Sequence, residues 1–182
     1  MKLLVSMILL CVPLPSWSAT SCDFGRPHTN APAETEQFDF LVGRHEITLH
    51  AWTPTGWTPP RPTNAQWNGW YGLQGRAIYD EWIDPDSTQG GLGVNVRIYD
   101  PQQQIWKMMW VATSSLQVQD LRAKMIDGKL TMWQVYPPRD GWKAEFNQLG
   151  NKRWERISYQ QDADGAWQPQ FRLVATREPC TG

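Results

Sequence analysis

The stretch FDFLVGRHEITLHAW, Phe38 to Trp52, decides the fold. Phe38, Phe40 and Val42 stand at alternate positions and lead into Gly43, where a backbone can turn or be closely approached. Past the glycine, Ile47, Leu49 and Ala51 fall on one face of an extended segment, and Glu46, Thr48, His50 and Trp52 on the other. Alternation of this kind predicts the first strand of a barrel, running on from an apolar lead-in.

Downstream, the same theme repeats at short intervals. Strands are predicted over 66–73, 75–83, 91–100, 105–113, 118–126, 129–136, 143–149, 152–160 and 168–177. Between them lie turn signals: Asp84-Pro85, Gln89-Gly90-Gly91, Asp100-Pro101, Asp127-Gly128, the run from Pro137 to Gly141, Gly150-Asn151, and Asp162 to Gly165. No segment sustains a helical period with caps at both ends. About ten strands joined by hairpins, with no helices to cover a sheet, must hide their edges by closing or stacking. The simpler solution is all-β: a single antiparallel up-and-down β-barrel spanning 37–180. After the opening strand, Thr53 to Thr63 holds four prolines, which disfavour a central strand and predict a stiff loop beside the mouth. That loop is decoration, or a lid if Trp57 turns inward.

Upstream, residues 1–18 combine an early Lys2, an apolar run from Leu3 to Leu14, and Ser16-x-Ser18 before Ala19. That is the pattern of a signal peptide, too short to anchor as a transmembrane helix, and it predicts a secreted or periplasmic protein with no transmembrane segment in the mature chain. Residues 19–36 read as a polar N-terminal tail. Of three cysteines, Cys11 lies in the signal, which leaves Cys22 and Cys180 at the two ends. In an oxidising compartment they most simply pair; the rival reading lipidates Cys22, although the preceding residues lack the usual leucine. The formal charge of −1 becomes −2 once Lys2 is removed, so nothing attracts nucleic acid or anionic membrane. Tryptophan is abundant, with 12 in the chain. Indoles bury large areas yet need a partner for the N–H, which suits cavity walls and rims as well as core.

Several segments carry a resemblance. FDFLVG at 38–43, GRAIYDEW at 75–82, RIYDPQQQIWKMMWV at 97–111 and the closing run from Arg153 to Arg177 resemble the DUF1579-like family of small bacterial proteins of unknown function. Its members are similar to calycin barrels: lipocalins, fatty-acid-binding proteins and nitrobindins. The resemblance implies a calycin-like fold with a ligand cavity. Where that pattern has Gly-x-Trp on the first strand, this chain has Gly43-Arg44-His45, so His45 is expected to plug the floor against an arginine such as Arg177.

Catalytic motifs are absent. His45, Glu46 and His50 miss the zinc spacing H-E-x-x-H by one residue, and on a strand the two histidines point to opposite faces. Haem in the nitrobindin manner would need a late histidine, and none follows His50. No cofactor or metal is expected. Asp162-Ala163-Asp164-Gly165 lacks the distal glutamate of a calcium loop and reads as a tight hairpin. What remains is a Trp-lined pocket. Trp106, Met108 and Trp110 share one face, a combination suited to an adaptable apolar site, with Trp82 and Trp133 as further walls. Glu81 with Arg97, Arg122 or Arg156 would hold a polar end. The expected function is binding of a small apolar or aromatic ligand in this cavity. The alternatives are an enzyme using Glu81 as general acid or base, and an envelope protein with a filled barrel that binds a protein partner.

Overall fold

The structure, a computed structural model, describes residues 22–87 and 91–180. The predicted signal peptide, with Lys2 and Cys11, and most of the Gln89-Gly90-Gly91 turn lie outside these residues. The strands are β1 (Gly43–Thr53), β2 (Gly56–Trp57), β3 (Arg61–Gly72), β4 (Ala77–Asp84), β5 (Gly91–Asp100), β6 (Ile105–Ala112), β7 (Gln117–Ile126), β8 (Lys129–Tyr136), β9 (Trp142–Gln148), β10 (Arg153–Gln161) and β11 (Trp167–Arg177). From β3 to β11 each pairs antiparallel with the next, and β1 joins β3 on one side and β11 on the other. The sheet therefore closes into a ten-stranded barrel with β2 as a two-residue annex, and closure leaves no long edge unpaired. The closing seam runs from His45 opposite Arg177 to Ala51 opposite Phe171.

Two expectations fail locally. The lead-in to Gly43 is not extended: Ala33–Leu41 forms turns of 3-10 helix. Its buried residues Thr35, Phe38 and Leu41 recur every third position, the repeat of a 3-10 helix, and fall on one side. Both Phe38 and Phe40 still face the barrel, because this segment lies across its end as a floor. Phe38 meets Trp106 at 4.9 Å and Phe146 at 5.4 Å, while Phe40 meets Trp154 at 5.7 Å. The floor comes so close to β3 that a side chain at Gly69 would strike the Leu41 backbone. The second failure concerns the prolines, because β3 begins at Arg61 and contains Pro62. The strand tolerates it because β3 pairs with β4 only from Gln66 onward, so at Pro62 it has β1 alone as a neighbour, next to a register shift between Glu46 and Thr48.

The tail is also more structured than a surface strap. Tyr71 N–H donates to Phe24 O at 2.8 Å and His28 N–H to Gly75 O at 2.9 Å, and Cys22 is joined to Cys180 by a disulfide with Cα atoms 5.8 Å apart. Asp162 behaves as a hairpin residue, its Oδ1 accepting from the N–H groups of Asp164 and Ala166. Core side chains crowd the floor half of the barrel: Phe38, Leu41, Trp106, Phe146, Trp154 and Ala175 are all at most 3% exposed. The opposite half is not filled.

His45 occupies the floor as expected. It is fully buried, with its ring edge-on to Trp154 at 5.7 Å and Nδ1 3.2 Å from Trp67 O. Burial, with Arg177 nearby, lowers its pKa from 6.5 to about 4. The folded state thus holds a neutral ring that the unfolded chain protonates below pH 6.5. Stability is unaffected above that value and falls as pH drops from 6.5 towards 4, by up to about 3 kcal/mol. Urea unfolding across this window is expected to show the loss, and His45→Phe to flatten it; an unchanged pH profile in the variant would assign the loss to other groups.

Candidate functional site

The alternation along each strand sends Trp67 on β3, Asp80 and Trp82 on β4, Asn95 and Arg97 on β5, Trp106, Met108 and Trp110 on β6, and Trp154, Arg156 and Ser158 on β10 toward the barrel axis. Above the packed floor these residues border a cavity in two adjoining lobes. The larger, about 690 Å³, opens at the mouth and is lined by Leu49, His50, Trp67, Trp82, Trp110 and Leu173, among others. The smaller, about 210 Å³, lies toward the region where β8 and β9 part, and includes Asn95, Arg97, Gln119, Gln134, Arg139 and Trp142. Trp67, Trp110, Arg156 and Phe171 belong to both. The β8–β9 ladder spans Leu130 to Met132 on β8, which leaves Gln134 and Trp142 free to border the smaller lobe.

Aromatic rings run in a continuous series from floor to mouth. His45 meets Trp154, Trp154 meets Trp67 at 5.4 Å, and Trp67 meets Trp82 at 6.0 Å, the last two pairs edge-to-face. Trp67 and Trp82 are register partners on β3 and β4, so the hairpin itself positions this pair. Trp110 lies flat over the backbone of Gly93, where any Cβ would collide with its ring. The glycine is thus the reason this indole can fold down against the wall. At the mouth, Thr58, Pro59 and Arg61 from the proline-rich loop complete the larger lobe. The loop is fixed there by the Thr58 N–H on Ala51 O and by His50 Nδ1 on Thr58 O, both 2.9 Å. Trp57 packs edge-to-face on Trp52 at 5.0 Å.

The polar interior centres on Asp80, Arg97 and Arg156. Asp80 and Arg97 are 0% and 1% exposed, with Arg97 Nε donating to Asp80 Oδ2 at 2.5 Å. The Arg97 guanidinium also lies over the Phe38 ring at 4.6 Å and donates from Nη1 to Met108 Sδ at 3.0 Å. Burial pushes the Asp80 carboxyl up from the ordinary carboxylate range, while Arg97 and Arg156 pull it back down. Arg156 has no carboxylate of its own. It stands over Phe171 at 5.2 Å and Trp67 at 5.9 Å, and its Nε is buried without a hydrogen-bond partner. Burial, reinforced by the positive charge of Arg97, lowers its pKa to about 10.

Of the residues expected at a ligand site, the structure brings Trp82, Arg97, Trp110 and Arg156 to the cavity wall. Met108 sits just behind it, 3% exposed, and Trp106 is sealed in the floor with its indole N–H on Gln37 Oε1 at 3.0 Å. Three expectations are corrected. Glu81 is on the outer face of β4, beside Asn68 across the sheet, because Asp80 and Trp82 take the inner positions. Arg122 is outside on β7, where it pairs with Asp120. Trp133 is opposite Arg122 on the outer face of β8, since Met132 and Gln134 point inward. The interior acid missed in the sequence is Asp80. Its signal was its shared face with Trp82, which identifies it only once Trp82 is known to point inward.

No family model matches the chain, and no curated protein matches it in sequence. Among solved structures the barrel is similar to an S-type phycobiliprotein lyase from Guillardia theta, with a TM-score of 0.50 and 15% identity. The match covers 80% of this chain and 93% of that one. At this identity the likeness establishes the shared barrel fold.

Proposed function

We propose that this chain is an exported calycin-like barrel that binds a small apolar or aromatic molecule in its tryptophan-lined cavity. The observation that carries the reading is the half-filled interior: a packed floor below, and above it a cavity walled by Trp67, Trp82 and Trp110. A barrel serving only as a scaffold has no need to leave its upper half open, since filling it would add dispersion contacts and remove apolar surface from water. Export is supported by the Cys22–Cys180 bridge together with the signal-like residues 1–18. Kinship with the DUF1579-like family forms part of the same proposal. Glu81 lies outside the barrel and is not placed to act as an acid or base on a bound ligand.

The test is titration of the mature protein with N-phenyl-1-naphthylamine, a neutral apolar fluorophore, comparing wild type with Trp110→Ala. Removing one indole wall is expected to weaken binding by about 1–3 kcal/mol, roughly 5-fold to 150-fold. Absence of binding to the wild type would sink the reading. Equal binding by a folded variant would take Trp110 out of the site.

A further inference from the structure

The cavity has a pronounced charge imbalance. Arg61, Arg97, Arg139 and Arg156 line its two lobes, and among the described residues no Asp or Glu does. Arg61 is at the exposed rim, and Arg139 is exposed with its guanidinium over Trp142 at 4.8 Å. Each can be hydrated where it stands. Arg97 is neutralised by Asp80. Arg156 is different. It lies between the lobes, it makes no ion pair or hydrogen bond among the described residues, and the carboxylate it feels most, Asp80, is already engaged by Arg97. Arg156 is half-buried, with its Nε buried and unpartnered; a cation held among apolar walls without a counter-ion is costly, and folding alone gives little reason to keep one.

Around Arg156 the unsatisfied polar atoms include a second donor. The Trp67 indole N–H is buried and unpartnered, and its ring lines both lobes. That indole N–H is itself sealed from the cavity, so the donors offered to a ligand acceptor are those of the Arg156 guanidinium, 5.9 Å from the Trp67 ring. The rings of Trp67, Trp82, Trp110 and Phe171, with Leu49 and Leu173, surround this point on the side of the mouth. A molecule entering from the mouth therefore passes the hydrated Arg61 at the rim, meets apolar walls along its length, and reaches the Arg156 guanidinium between the lobes.

We propose that the ligand is an amphipathic acid, with a single anionic head, most simply a carboxylate, seated on Arg156 and an apolar body extending toward the mouth. This rests on the cavity-binding reading above and adds the charge class and orientation of the ligand. Arg156 is the specificity residue, and Asp80 acts at one remove by occupying Arg97 so that one cation, not two, is offered. The aromatic and aliphatic forms of such an acid share this head chemistry and differ in how they use the tryptophan walls.

The experiment displaces N-phenyl-1-naphthylamine from the mature protein with matched pairs: 2-naphthoate against 2-naphthamide, and decanoate against decanamide. At least one acid is expected to compete about 10- to 100-fold better than its amide, the margin of a charge-assisted hydrogen bond among apolar walls. The pair that shows the margin identifies the body as aromatic or aliphatic. Arg156→Met is expected to lose the acid preference, read as the ratio of acid to amide competition at whatever fluorophore affinity the variant has, and to melt at the same or a higher temperature because a half-buried charge without a counter-ion has been removed. A merely structural arginine would instead lower the melting temperature and leave the preference intact. Arg156→Gln provides the same comparison if the methionine variant does not fold. Equal competition by acid and amide in the wild type, or a preference that survives both substitutions, overturns the proposal while leaving cavity binding in place. Failure of the fluorophore to bind the wild type would remove the cavity reading and this proposal together.

Discussion

Breaking the Cys22–Cys180 bridge is expected to destabilise the protein by about 5 kcal/mol and to lower its melting temperature by on the order of 10–20 °C. The size follows from the length of chain the bond closes, 158 residues in sequence separation, because a cross-link removes more conformations from the unfolded chain as the loop lengthens. The folded state gives the bond a second role. Cys22 begins the tail whose Phe24 and His28 are hydrogen-bonded to the end of β3 and the turn after it, and that tail leads into the 3-10 floor carrying Phe38 and Leu41. Cys180 follows β11, the strand that closes the barrel against β1. The bridge therefore ties floor to seam. Thermal unfolding of a chain comprising residues 19–182, with and without reductant, measures the effect, and intact mass reports the bond. A melting temperature indifferent to reductant, two free thiols, or a lipid adduct on Cys22 would each refute this expectation.

The second large effect is at the buried pair. Replacing Asp80 with Ala strands the Arg97 guanidinium at 1% exposure with a second unpaired guanidinium, that of Arg156, close by. The expected loss is about 3–5 kcal/mol, the usual result of removing one partner of a buried ion pair. Removing both charges together behaves differently. The double change Asp80→Leu with Arg97→Met is expected to fall within about 1–2 kcal/mol of wild type on either side, because each apolar replacement escapes the desolvation that the ions suffer. Urea unfolding of the two single variants and the double variant gives the coupling directly. A single Asp80 substitution costing less than about 1 kcal/mol would mean that water reaches the pair and screens it. This pair is also why a general hydrophobic pocket is an incomplete description of the interior. One arginine is held by a carboxylate and its neighbour is not, and the proposed preference for an acid rests on that asymmetry.

The strand positions were legible from the sequence because a period of two, broken by Asp-Gly, Asp-Pro and Gly-rich turns, is local information. The predicted segments 91–100 and 129–136 coincide with β5 and β8, and the others differ at their ends by a few residues. Barrel closure followed from the absence of helices and the need to hide edges. The pairing of Cys22 with Cys180 followed from their positions at the two ends. The inward face of β4 was not legible. Its two faces, Ala77, Tyr79, Glu81 and Ile83 against Ile78, Asp80 and Trp82, are both mixed in polarity, so alternation groups the residues without saying which group is inside. Only the pairing of β4 between β3 and β5, with Trp67 opposite Trp82, turns Asp80 inward and Glu81 out. The same holds for Trp133 and Arg122, whose faces are set by their neighbours Met132 and Leu121. At Phe38 to Val42 two periods compete over five residues, and contact with Trp106, Phe146 and Trp154 from distant strands decides for the 3-10 floor over a strand. Periodicity is a property of neighbours in the chain, and it determined the strands; burial is a property of neighbours in space, and it decided which side of each strand meets the cavity.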